Sequence, residues 1–165
     1  MNSIVKKVLL GLLAALVLLQ FYRPAKNQSN DQARHISTKY PVPADVKHLL
    51  AVACDDCHSN ATRYPWYAEV QPVGLWLTGH VNEGKKHFNI SEFTGLRAAV
   101  QNHKMEELIE MVKEGEMPLK SYTWTHGDAR LTQEQRALLT SWASSIMDTL
   151  RANYPPDSLV LRRKG

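Results

Sequence analysis

The chain holds only two cysteines in 165 residues, so no second Cys pair exists to complete a zinc site of thiolates. It has no stretch of sustained two-residue alternation rich in β-branched residues, which argues against a sheet. Without strands there is no βαβ pattern, and a thioredoxin-like redox site loses its context. Internal repeats and low-complexity tracts are also missing. A large charge of one sign is missing too: the formal net charge is +4. Once Lys6 and Lys7 are set apart as part of an N-terminal signal, 18 basic residues face 16 acidic ones. Such a near-neutral domain gives no electrostatic reason to bind nucleic acid.

What is present begins at the N-terminus. Residues 8–19 read VLLGLLAALVLL without a charge, after Lys6-Lys7 and before Phe21-Tyr22-Arg23. A positive flank followed by an apolar run is the layout of an export signal. No small-x-small cleavage site follows, since Leu-Gln-Phe-Tyr-Arg stands in its place. The expectation is therefore an uncleaved transmembrane or signal-anchor helix over residues 1–22, although the run is somewhat short of the roughly 20 residues that span a bilayer. The positive flank should stay on the cytoplasmic side, which places the remainder in the periplasm of a bacterium. Cleavage would instead release an exported soluble protein.

Residues 23–39 are polar and nearly free of large apolar side chains, and read as a linker. Residues 40–152 form the domain, and residues 153–165 read as a disordered basic tail after Pro155-Pro156. The period inside the domain is helical, so the fold class is all-α. A first helix starts near Ala44-Asp45 and presents Val46, Leu49, Leu50 and Ala53 on one face. A second covers residues 72–87, weakened by Gly74, Gly79 and Gly84. A third begins at Ser91 and runs to about Asn102, with a turn at His103-Lys104. A fourth carries Met105, Leu108, Ile109 and Val112 and ends at Gly115, a suitable C′ residue. The last opens on the capping-box pattern Thr132-x-x-Gln135 and carries the stripe Leu138, Leu139, Trp142, Ala143, Ile146, Met147, Leu150.

Both cysteines fall in Cys54-Asp55-Asp56-Cys57-His58. A Cys-x-x-Cys pair alone fits a redox disulfide or half a zinc site; the added His makes it the c-type haem attachment signature. Two thiols three positions apart can add to the vinyl groups of one porphyrin edge, and the next residue then lies under the iron. His58 is thus the expected proximal ligand. Met117 is the first choice for the distal ligand, because Glu114-Gly115-Glu116-Met117-Pro118 follows a helix end and opens a loop. His80 is its main competitor, with His87 and His126 behind it. His80, Glu83 and His87 would share one helix face, more often a solvated polar face than a metal site. Aromatics gather at Tyr64, Trp66 and Tyr67 and again at Trp76, Tyr122 and Trp124, as candidate walls for an apolar plate. Arg63 is a candidate propionate partner.

On these residues the chain resembles the cytochrome-c-like haem-binding domain family, short bacterial proteins often carrying an N-terminal membrane anchor. The resemblance rests on CDDCHSNATRYPWYAEVQPV at 54–73, HVNEGKKHFNISEF at 80–93, EGEMP at 114–118 and DARLTQEQ at 128–135. It implies one covalent haem c per chain, His58 as proximal ligand, and a cytochrome c architecture whose first and last helices pack across each other. Many cytochromes c have Met-Pro-Pro in the distal loop, whereas Leu119 follows Pro118 here.

Three functions compete on this reading. One is a membrane-tethered periplasmic electron carrier with unidentified redox partner proteins and no enzymatic turnover. The others are a haem peroxidase or oxidase module and a haem-based redox or gas sensor, both with a labile distal ligand. Firm Met117 ligation favours the first and a vacant position the others.

Overall fold

The computed structural model describes residues 2–161 and is built from helices and short 3-10 turns. The α-helices are α1 (Ser3–Leu19), α2 (Ala44–Ala53), α3 (Asp55–His58), α4 (Val73–His87), α5 (Ala98–Glu114), α6 (Lys120–Thr125) and α7 (Gln133–Asn153). Among the described residues no strand forms, and the one isolated bridge pairs Gln28 with Ala61. The all-α expectation holds.

The core lies between α5 and α7, which pack most extensively against each other. Met105 and Val112 of α5 share one buried cluster with Leu139, Trp142, Ala143, Ile146 and Leu150 of α7. The capping box of α7 forms as its sequence requires: the Thr132 hydroxyl accepts from Gln135 N–H, and the Gln135 side chain accepts from Thr132 N–H. Val46, Leu49 and Leu50 of α2 join the cluster, and the Trp142 indole N–H donates to the Pro41 carbonyl at 3.0 Å. That bond pins the last helix to the approach of α2. Full burial of each large apolar side chain contributes about 1.5–3 kcal/mol.

Four expectations are corrected. The third helix does not form as drawn. Residues 90–95 make a 3-10 turn, capped by Asn89 and burying Ile90 and Phe93, because side chains three apart eclipse in that geometry. The fourth helix starts earlier, at Ala98, and runs through His103-Lys104 without a turn. His103 and Lys104 each pair with Glu107 one turn on, at 3.1 and 2.6 Å, which supports the helix there.

The polar segment 23–39 is not a free linker. Ile36 is fully buried in the core, and Thr94 N–H donates to the Arg34 carbonyl at 3.0 Å. The segment docks through hydrogen bonds more than apolar area, so its polar composition concealed the contact. Likewise the tail is ordered as far as it is described, with a 3-10 turn at Pro156–Ser158 and Leu159 in the core. The basic residues 162–165 lie outside the described residues.

Helix α1 stands apart from this core. Residues 3–18 are all exposed, although the helix is apolar on nearly every face. Among the described residues no helix is long and apolar enough to cross a membrane, and α1 itself has 17 residues.

Candidate functional site

Helix α2 ends at Cys54, whose N–H still donates to the Leu50 carbonyl, and the chain turns at once into the four-residue α3. Cys57 and His58 N–H groups both donate to the Cys54 carbonyl, at 3.1 and 2.9 Å. The motif is thereby folded on itself, with Cys54, Cys57 and His58 on one tight turn. Both cysteines are free thiols. Burial pushes Cys54 up to about 12 and Cys57 up to about 11, with the carboxylates of Asp55 and Asp56 acting in the same direction on their neighbours. These are protonated thiols, not poised thiolates.

His58 Nδ1 lies 2.9 Å from the Phe88 carbonyl oxygen. A carbonyl can only accept, so Nδ1 carries the proton and Nε2 keeps its lone pair for a metal. Burial pushes the imidazole below its usual range, against the opposing pull of that hydrogen bond. The neutral ring is the form that binds iron.

Helix α4 presses directly on the motif. A Cβ on Gly84 would stand 2.5 Å from the Cys57 carbonyl oxygen and 3.0 Å from its Cβ. The glycine that weakens α4 in isolation is what lets it touch α3. From the other side, the buried Asp56 carboxylate accepts from Arg63 N–H at 3.0 Å, Arg63 Nε at 3.0 Å and the Tyr122 hydroxyl at 2.7 Å. Tyr122 belongs to α6, so this bond ties the segment after Met117 back to the motif. Burial and the Asp56 carboxylate together raise the Tyr122 hydroxyl well above its usual range, which keeps it a donor. Asp55 is less well served. Its Oδ1 is buried without a partner, and burial, then repulsion from Asp56, pushes it up to about 6.

The remaining candidates sit as follows. Arg63 holds Asp56 and the Ala51 carbonyl, with its side chain otherwise exposed. Met117 is half-buried in the turn after α5, where Gly115 adopts φ 77° and Met117 N–H donates to the Met111 carbonyl at 3.1 Å. His80 turns along its own helix, with Nδ1 3.0 Å from the Trp76 carbonyl and its ring 4.3 Å from the indole. His87 faces Glu83 at 3.6 Å on an exposed surface. His126 stacks on Tyr122 at 4.2 Å. Among the described residues no group of three or more His, Cys, Asp or Glu side chains converges as a metal site. A cavity of about 560 Å³ opens beside α2, lined by His35, Tyr40, Leu50 and Asp55, but it touches the motif only through Asp55.

The haem-binding domain family model matches residues 14–145. The chain belongs to that family. No curated protein and no solved structure matches it. The match begins inside α1 and takes in residues 23–39, in keeping with their docked state in the fold. In this haem-binding domain the Cys54-x-x-Cys57-His58 turn is fixed by contacts that sequence reasoning missed, those of Gly84, Asp56 and Tyr122. Gly84 left a trace, as a glycine inside a helix where it costs propensity. Tyr122 stood out only as an aromatic, and its bond to Asp56 left no trace, because 66 residues separate the two.

Proposed function

We propose that the protein is a membrane-anchored c-type cytochrome domain that carries electrons and turns over no substrate itself. The observation that carries this reading is the donor set of α3: two unpaired protonated thiols and one imidazole whose Nε2 is left free by the Nδ1 bond to Phe88. The residues fit a haem attached through thioethers, because vinyl addition consumes reduced thiols on one tight turn. When bound, the group supplies one-electron chemistry at iron, cycling between ferrous and ferric.

The chain's own contribution is positional. Phe88 holds the His58 ring in one tautomer and orientation, and Gly84 and Asp56 fix the turn that bears it. Met117, carried on the turn that Tyr122 ties to the motif, would supply a thioether to the iron; a thioether paired with an imidazole would raise the potential relative to two imidazoles. Trp66 and Trp124 are 80% and 83% exposed, on segments joined by the hydrogen bond between Tyr67 and Thr125. They offer apolar area for the porphyrin plate. The domain is of cytochrome c type, with α2 and α7 in contact, and it works in the bacterial periplasm with α1 as its anchor.

The test is absorption spectroscopy of the full chain. An alkaline pyridine c-type haemochrome supports covalent attachment, and its loss in Cys54→Ser and Cys57→Ser localises the bonds. The far-red band of ferric Met ligation should vanish in Met117→Ala and survive in His80→Ala. A wild type that lacks this band and whose six-coordinate spectrum is lost in His80→Ala moves the ligand to His80. Ready carbon monoxide binding by the ferrous wild type argues for a sensor or peroxidase in place of a carrier.

A further inference from the structure

We infer that the haem domain lies flat on the lipid bilayer that receives α1, through a built apolar face at the start of α4, rather than moving on a tether above it. The inference rests on the reading of α1 as the membrane anchor. Its own evidence is the junction that follows.

Gln20, which caps α1, and Gln71, which precedes α4, bond reciprocally. The Gln20 amide donates to the Gln71 carbonyl at 3.0 Å, and Gln71 N–H donates to Gln20 Oε1 at 3.0 Å. The Gln71 amide donates onward to the Tyr22 carbonyl at 3.2 Å and accepts from Leu75 N–H at 3.0 Å. Gln71 is 2% exposed, so this is a buried and satisfied amide joining the end of the apolar helix to the domain. The next residues continue the attachment. Arg23 donates to the Glu69 carbonyl, and Asn27 bonds Ser59, Thr62 and Tyr64, each at 2.8 Å, along the loop that follows His58.

Geometry then leaves the domain little freedom. Whatever the tilt of α1 in the bilayer, Gln71 stays within hydrogen-bond reach of the residues that end the apolar run. The side chains around it are those of a membrane interface. Val70, Val73 and Trp76 are exposed beside Gln71, with Val73 and Trp76 one turn apart on α4, and Phe21 and Tyr22 are exposed at the end of α1. Exposed apolar side chains grouped at one place mark a contact surface, and Trp and Tyr favour the headgroup level. The charge there also suits lipid. Arg23 and Lys26 outnumber the single carboxylate, Glu69, which Lys26 already pairs at 2.5 Å, leaving a net positive rim for anionic headgroups. Continuity with a lipid-embedded helix favours the bilayer over a protein partner as the occupant of this face.

The experiment uses the full, haem-loaded chain in vesicles of phosphatidylcholine and phosphatidylglycerol, with single cysteines introduced by Val73→Cys, Leu13→Cys and Asp148→Cys. Each is reacted with a charged maleimide and with a lipid-soluble one, and mass spectrometry counts the labels at the introduced site. Docking predicts that vesicles slow the charged reagent at position 73 by about tenfold relative to position 148, because the ion avoids the apolar layer, while the lipid-soluble reagent still reacts. Replacing both Gln20 and Gln71 by alanine should restore the rate of the charged reagent. Equal rates at 73 and 148 overturn the inference, and so does slow reaction of both reagents at 73, which would mean a protein covers it. Position 13 reports separately on the anchor: if it reacts as freely as 148, the reading of α1 has failed instead.

Discussion

Residues 54–63 and residues 115–122 carry the two proposed iron ligands, and the fold holds them in different ways. The first segment is enclosed. Gly84 presses on Cys57, Phe88 fixes His58, and Asp56 gathers Arg63 and Tyr122 in a buried bond network. The second is suspended. It relies on the left-handed Gly115, one backbone bond from Met117 to Met111, and the reach of Tyr122 across to Asp56. A covalent attachment needs a motif that keeps its shape before and after reaction, whereas a thioether ligand needs only to be brought to the right side. Close packing suits the first task and a tied turn the second.

Variants of the two segments should therefore separate in size and in kind. The largest loss is expected from Gly84→Ala, whose Cβ meets backbone at 2.5 Å, contact that only a shift of α4 from α3 can relieve. Overpacking of this sort costs about 3 kcal/mol, and denaturant unfolding together with the yield of covalent haem should both fall. Next comes Asp56→Ala, which leaves the Tyr122 hydroxyl only its longer bond to the Val52 carbonyl, at 3.2 Å, and Arg63 only its bond to the Ala51 carbonyl, at about 2 kcal/mol. If Asp56→Ala unfolds at the same denaturant concentration as wild type, the enclosed half of the comparison is wrong.

Asp55 gives a pH-dependent term on the same segment. Its folded value, about 6, lies above that of an unfolded aspartate, so the native state binds the proton more tightly. The stability that Asp55 contributes is present at low pH and is lost as pH rises from about 4 to about 6. Asp55→Asn should remove that slope and stabilise the protein at neutral pH by about 1–2 kcal/mol, read from unfolding curves at pH 4, 5 and 7. The smallest loss belongs to the suspended segment. Gly115→Ala should cost about 1 kcal/mol, since a Cβ is strained at φ 77°. Haem attachment should survive it, while the far-red ligation band weakens.

The sequence exposed what depends on neighbours along the chain. The apolar face of α2, the capping box and stripe of α7, and the Gly115 terminus of α5 could be placed because periodicity, caps and αL glycines act within a few residues. The Cys54-Cys57-His58 motif could be read for the same reason. Its thiols and imidazole are close through one turn of backbone, whatever the rest does.

The third helix could not be placed. Whether residues 90–95 wind as α-helix or 3-10 turn is decided by the burial of Ile90 in the core and of Phe93 against Tyr40, 53 residues away. Residues 23–39 looked free because hydrophobicity, the signal that reveals a docked segment, is nearly absent from them. Their attachment runs through amide and hydroxyl groups whose partners lie some thirty positions or more away, as with Asn27 and Ser59. Local chemistry thus determined the Cys54-x-x-Cys57-His58 donor set and the helical class. Only tertiary structure decided which nitrogen of His58 stays free, why Gly84 must be glycine, and that the apolar helix is joined to its domain without slack, because each of those depends on partners that folding alone brings together.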